Sequence, residues 1–195
     1  GQVHHYDVML RGLSVTGDKI AWATDERQVN LSPIGVAPQP AIVIGPAGRA
    51  VFWVVDVEQG LSLHARWIDP NGVPEGSAIG ILPKAVSSIM NLTGIFSERT
   101  FFLAWRQPAT QDLQVLQLEN DLDFLNSEIL ATDIAPQWRG ERAEGAPFSP
   151  SWLVADQGAA LMYERVFSST TVDETRFWSR GVISGEDMFQ GIVMQ

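Results

Sequence analysis

Three histidines, 23 acidic residues and no cysteine set what chemistry this chain of 195 residues can attempt. His4 and His5 are adjacent, so in an extended segment their side chains diverge, and a solvated tail accounts for them. His64 alternates with Leu63 and Ala65 as a strand histidine does. A zinc site needs convergent ligands, and these three positions supply none. Without cysteine there is no disulfide scaffold, thiolate metal site or thiol nucleophile. Asn120-Asp121-Leu122-Asp123 bunches oxygen ligands, yet the stretch lacks the sixth-position glycine and twelfth-position glutamate of a calcium loop. It reads as a turn with solvated carboxylates. No metal and no cofactor are expected.

Hydrolysis by paired carboxylates needs two such groups about 5–10 Å apart across a cleft. Asp56, Glu58, Asp112, Glu164 and Asp173 fall near expected strand ends, and Arg11, Arg66, Arg106, Arg165 and Arg180 could contribute a cationic cluster. Carboxylates at strand ends are equally what turns demand, so the enzyme question stays open and leans towards no. There is no G-x-S-x-G elbow, and a Ser–His–Asp set would have to use His64 or the terminal pair. No glycine-rich loop leads into Lys-Ser/Thr, and no G-x-G-x-x-G opens a helix.

Binding has better candidates. Seven tryptophans stand against two tyrosines. Trp138 lies in the polar, Gly-flanked stretch Pro136–Gly145, next to Arg139 and Arg142. Trp and Arg are enriched at interfaces, and long irregular segments such as Ala135–Phe148 often carry function. Trp67 alternates with Arg66 just before a turn. Trp138, Arg139, Arg142 and Trp67 are therefore the candidate contact residues for a protein or glycan. Trp152 and Trp178 are weaker hints of the same kind. Capping of the neighbouring core is the plainer role for Trp138.

The balance of charge bounds the partners. With 13 Lys+Arg and a formal net charge of −10, nothing offsets repulsion from a phosphate backbone, so nucleic acid is excluded. No run approaches the roughly 18 apolar residues of a membrane helix, so no membrane insertion is expected. Gly1–Tyr6 has neither the basic nor the apolar region of a signal peptide, as in a processed chain or an excised domain. Asn30-Leu31-Ser32 and Asn91-Leu92-Thr93 match glycosylation sequons, tripeptides that chance supplies often.

The elements that must position these residues are strands. Ala50–Val55, Thr100–Trp105 and Ala160–Tyr163 are nearly continuous apolar runs, as in strands buried on both faces. Only Pro83–Asn91 offers a helical possibility. Gly48-Arg49-Ala50-Val51-Phe52-Trp53 overlays Gly17-Asp18-Lys19-Ile20-Ala21-Trp22 and Gly158–Tyr163 without a gap, with Arg99–Trp105 a looser copy. Leu63–Ile79 overlays Leu113–Ile129. Asp69-Pro70-Asn71-Gly72 is a turn, and Glu119-Asn120-Asp121 is its counterpart. Ala41–Ile44, Ala50–Val57, Leu61–Ile68 and Ala78–Leu82 make one four-stranded set. Trp22, Trp53 and Trp105 close their strands and are expected to be buried between sheets. Their spacing approaches the roughly 40–50 residues of a propeller blade, except in a short first unit.

The segments Pro40–Ile44, Ala50–Trp53 and Leu63–Gly72 resemble blade repeats of bacterial envelope β-propeller proteins. Thr171-Val172-Asp173-Glu174-Thr175-Arg176-Phe177-Trp178 resembles the Asp-box hairpin of sialidase-like propellers, without its glycine. The expectation is thus an all-β, propeller-like single domain over 1–195, with units of about 6–38, 39–82, 83–133 and 134–195. A lectin-type β-sandwich is the alternative. The resemblance implies a secreted, periplasmic or cell-surface protein. The expected function is a non-catalytic binding or assembly module. A sialidase-like hydrolase and a structural subunit of a larger assembly or oligomer are the alternatives. A large exposed apolar surface on an end repeat would favour the last.

Overall fold

The computed structural model describes residues 5–46, 48–97, 99–107, 112–131, 151–155, 158–168, 173–181 and 189–193. Among them there is no helix, and every paired strand is antiparallel. The chain divides into two compact units, Gly1–Val86 and Ser87–Gln195. Among the described residues the strands form three four-stranded sheets and two two-stranded pairs, and none of these sheets closes on itself.

The first unit begins as an irregular two-stranded ribbon. Strands β1 (Met9–Leu10) and β4 (Arg27–Gln28) pair, and β2 (Leu13–Thr16) pairs with β3 (Lys19–Trp22). The ribbon's base is tied at Tyr6 and Ile34 by two backbone hydrogen bonds. Asn30 is buried there: its Oδ1 accepts from Val8 N at 2.7 Å, and its Nδ2 donates to Asp7 Oδ1 at 2.9 Å and Ser32 O at 2.8 Å. The sequon asparagine is therefore a latch inside the fold.

The first four-stranded sheet is a meander of β5 (Ala41–Gly45), β6 (Gly48–Val57), β7 (Gly60–Ile68) and β8 (Pro74–Gly80). Its β6 is apolar on both faces because both are buried: Ala50, Phe52 and Val54 on one, Val51 and Trp53 on the other. The Val51–Trp53 face, with Ile68, is covered by Val8, Val29 and Ile34 of the ribbon. Arg66 fastens the same junction, donating to Val29 O at 2.8 Å and Gly76 O at 3.0 Å. The last strand starts at Pro74, earlier than the expected Ala78. Proline is tolerated at the first residue of an edge strand, and Gly76 takes φ 62° to absorb a register shift between Ala65 and Trp67.

Pro83–Asn91 is not helical. Val86 instead exchanges hydrogen bonds with Leu61, 2.8 Å each way, and this long-range bridge replaces local helical bonds. Gly60 makes room for it, since a Cβ there would stand 2.6 Å from Val86 O.

The second unit holds two more meanders. The first comprises β9 (Met90–Ser97), β10 (Thr100–Gln107), β11 (Asp112–Leu118) and β12 (Phe124–Ala131). The second comprises β13 (Ser151–Ala155), β14 (Gly158–Ser168), β15 (Asp173–Gly181) and β16 (Phe189–Val193). Leu161 and Trp152 pack on Phe102, Ala104, Leu113 and Val115. Trp152 is thus a partly buried packing residue, its ring centroid 6.0 Å from that of Phe102.

The two overlaid turns share one geometry. Asp69 N donates to Val73 O and Gly72 N to Asp69 O; Glu119 N donates to Asp123 O and Leu122 N to Glu119 O. Gly72 has φ 77° and Leu122 φ 75°, so a leucine stands where glycine is easiest. Burial of the Leu122 side chain offsets that strain. Asp69 Oδ1 also accepts from Val73 N at 2.6 Å, and this bond holds the carboxyl below its ordinary range. The sign follows: the contribution is present at neutral pH and is lost as pH falls through the depressed value, below about 3.8. Asp69→Asn is expected to flatten the acid limb of the stability–pH curve, measured by urea unfolding between pH 2 and 6. An unchanged limb would dismiss the turn as its source.

Candidate functional site

The ribbon's tip is where apolar chemistry meets solvent. Gly17-Asp18 links β2 to β3, with Thr16 paired to Lys19 and φ 64° at Gly17 alone of the two, the pattern of a type II′ turn. This register sets Leu13 opposite Trp22 and Val15 opposite Ile20, and the period of two puts all four on one face. They are 58%, 60%, 71% and 71% exposed respectively. Met9, earlier on the same side of the alternation, is exposed too. Val8 and Leu10, alternating with Met9, belong to the opposite face that covers Val51 and Trp53. The ribbon is therefore covered only at its β1–β4 end, while the β2–β3 hairpin is exposed on both faces, with its large apolar side chains gathered on one.

Trp22 does not pack between sheets. Among the described residues β2 and β3 form only a two-stranded pair, and Trp22 is exposed. Its gap-free sequence equivalents, Val51 for Ile20 and Trp53 for Trp22, are 3% and 1% exposed. Trp105 is buried as expected, at 1%. Arg11 stacks its guanidinium 4.2 Å from the Trp22 ring centre and donates to Thr24 O at 3.2 Å, which holds the indole in place. Exposed apolar residues also occur on two edge strands, Ile42 and Ile44 on β5 and Phe124, Leu125 and Ile129 on β12, and singly at Leu31, Val57 and Val73.

The remaining candidates are placed as follows. Trp138, Arg139 and Arg142 lie outside the described residues. Trp67 is half-buried on β7, opposite Ala50 and Glu75. Arg66 spends its guanidinium on backbone carbonyls. Asp56 accepts from Gly35 N at 2.9 Å. Arg106 and Asp112 are both buried near one end of the second sheet, but Arg106 pairs with Leu113 and Asp112 with Gln107, so they alternate between faces. Glu58 and Lys84 line an open groove of about 530 Å³ between the β6–β7 turn and Pro83–Ala85, with Glu58 its one carboxylate. Asp173–Trp178, the Asp-box-like stretch, runs along β15 and pairs with β14.

His64 stands opposite Trp53, ring centroids 6.0 Å apart and edge-on, and burial lowers its pKa from the usual 6.5. That environment suits a half-buried strand histidine whose neutral form is favoured. Among the described residues no group of three or more His, Asp or Glu could hold a metal ion. The bare hairpin face was within reach of sequence reasoning. Leu13-Ser14-Val15-Thr16 and Ile20-Ala21-Trp22 alternate strictly around a Gly-Asp turn, the mark of an amphipathic hairpin. No family model matches this chain, and none of the curated proteins is similar to it.

Proposed function

We propose that this chain is a non-catalytic assembly module, a succession of propeller-type blades whose two-stranded β2–β3 hairpin docks a protein partner. The single observation that carries the reading is the contrast between Trp22 and Trp53. One sequence pattern gives a buried tryptophan in the four-stranded sheet that the ribbon covers and an exposed one in the two-stranded hairpin. Sequential strand order in all three four-stranded sheets is the connectivity of blades and supports the propeller-like reading. A contiguous exposed apolar patch marks an interaction surface, and its apolar character favours a protein over a glycan.

The absence of cysteine makes the test direct. Val15→Cys places one thiol on the bare face, and its maleimide labelling rate reports whether that face is covered. We expect labelling to be at least tenfold slower in an extract of the native source than in dilute purified protein. Equal rates in both would overturn the assembly reading.

A further inference from the structure

The apolar face of the hairpin is complementary to itself. Leu13 and Trp22 form one cross-strand pair and Val15 and Ile20 the next, so a larger and a smaller pair share the face. Consider a second hairpin turned end over end about an axis across the strands, at the level of Ser14 and Ala21. Its Val15 comes over Leu13 and its Ile20 over Trp22. Larger side chains then meet smaller ones, which suits two sheets packed face to face about 10 Å apart. The same rotation brings the Gly17-Asp18 turn of the second copy level with Arg11. Arg11 alternates with Leu13 and stacks 4.2 Å from the Trp22 ring centre, and Asp18 is exposed at the tip. Each end of the contact thus sets a guanidinium level with a carboxylate.

Charge along the chain favours the same occupant. The ribbon Met9–Gln28 carries Arg11, Lys19 and Arg27 against Asp18, Asp25 and Glu26, so it is neutral within a chain of net charge −10. Two copies repel one another least where these neutral stretches meet, whereas a basic protein would be drawn to the acidic remainder. We infer that the face Leu13–Val15–Ile20–Trp22 seats on the same face of a second copy, the two hairpins running tip to base about a two-fold axis. Such a contact is isologous and closes at two copies. The four side chains are between 58% and 71% exposed and offer on the order of 500 Å² per copy, so the pair buries about 1,000 Å², the lower bound of a specific interface. Association is therefore expected to be micromolar or weaker and to vary with concentration. This inference rests on the assembly reading and names its partner.

Sedimentation equilibrium of the full-length chain, from low to several hundred micromolar, should show mass rising towards a dimer. Over the same range maleimide labelling of purified Val15→Cys should slow at least fivefold. Trp22→Asp should weaken association at least tenfold with an unchanged circular dichroism spectrum. Arg11→Asp and Asp18→Arg should each weaken it at least threefold, and both changes in one chain should restore it. Asp18→Arg also lowers the net negative charge, so a tighter dimer in that variant, or no recovery in the double variant, would overturn tip-to-base seating. A dimer that leaves Val15→Cys labelling unchanged, or that Trp22→Asp does not weaken, would overturn the hairpin as its interface. A concentration-independent monomer would overturn a second copy as the occupant. If Val15→Cys is nevertheless protected in the native extract, the assembly reading stands with a different protein on the face. Absence of protection there as well defeats both.

Discussion

Trp53→Ala should destabilise the first unit by about 3–5 kcal/mol, whereas Trp22→Ala should cost only about 0.5–1 kcal/mol. The two residues close equivalent strands, so propensity and strand position are nearly the same. What differs is what covers them. Trp53 is 1% exposed and shares a cluster with Val8, Val29, Ile34, Val51 and Ile68, so truncation opens a cavity between ribbon and sheet that rigid β-structure cannot collapse to fill. Trp22 loses its stack with Arg11 and a cross-strand contact with Leu13, both in water. Urea unfolding followed by far-ultraviolet circular dichroism measures both losses. Similar losses at the two sites would mean that Trp22 is covered in solution, as the docked state requires. Because the cavity admits water beside His64, Trp53→Ala should also let the His64 pKa rise back towards 6.5, visible by NMR titration.

The strands were legible where burial on both faces writes a continuous apolar run. Ala50–Val55 and Thr100–Trp105 are cases in which local composition and tertiary environment agree. The turn at Asp69–Gly72 was legible for a different reason, since proline and glycine restrict the backbone directly. Its partner at Glu119–Asp123 was legible from the turn-tolerant Asn120 and Asp121, but the glycine-like conformation was not, since the Leu122 side chain does not advertise it. Errors came where long-range contact decides. Pro83–Asn91 lost its helical option to the Leu61–Val86 bridge. Trp152 packs on Phe102, distant in the chain. Trp22 shows the limit most clearly: a repeat pattern tells which face a neighbour would cover, and says nothing about whether the neighbour is there. The candidate site follows from that gap, since it consists of residues patterned for burial that remain bare.

Asn30→Asp should cost about 3 kcal/mol or more at neutral pH, although it changes a single side-chain atom. Asn30 uses both halves of its amide: Oδ1 takes the Val8 N–H, and Nδ2 supplies Asp7 Oδ1 and Ser32 O. A carboxylate retains the first bond and loses both donors. It then sets its own charge against Asp7 at the distance of a former hydrogen bond, in a position 4% exposed. Burial and the like charge both raise the pKa of the introduced acid above its unfolded value near 3.9. Between those values the folded variant binds more protons than the unfolded chain, so its deficit shrinks as pH falls and is largest above the raised pKa. Asn30→Ala removes all three bonds without adding charge, leaves the Val8 N–H buried, and should cost about 2–3 kcal/mol with no such pH dependence. Denaturant unfolding of the parent and both variants at pH 4.5 and 7.5 separates the two mechanisms. A pH-independent deficit in Asn30→Asp would mean that the latch opens, so that the new carboxylate reaches water away from Asp7. The ribbon would then be held to the first sheet chiefly by Arg66 and the Val8–Val29–Ile34 contacts, with Asn30 a minor tie.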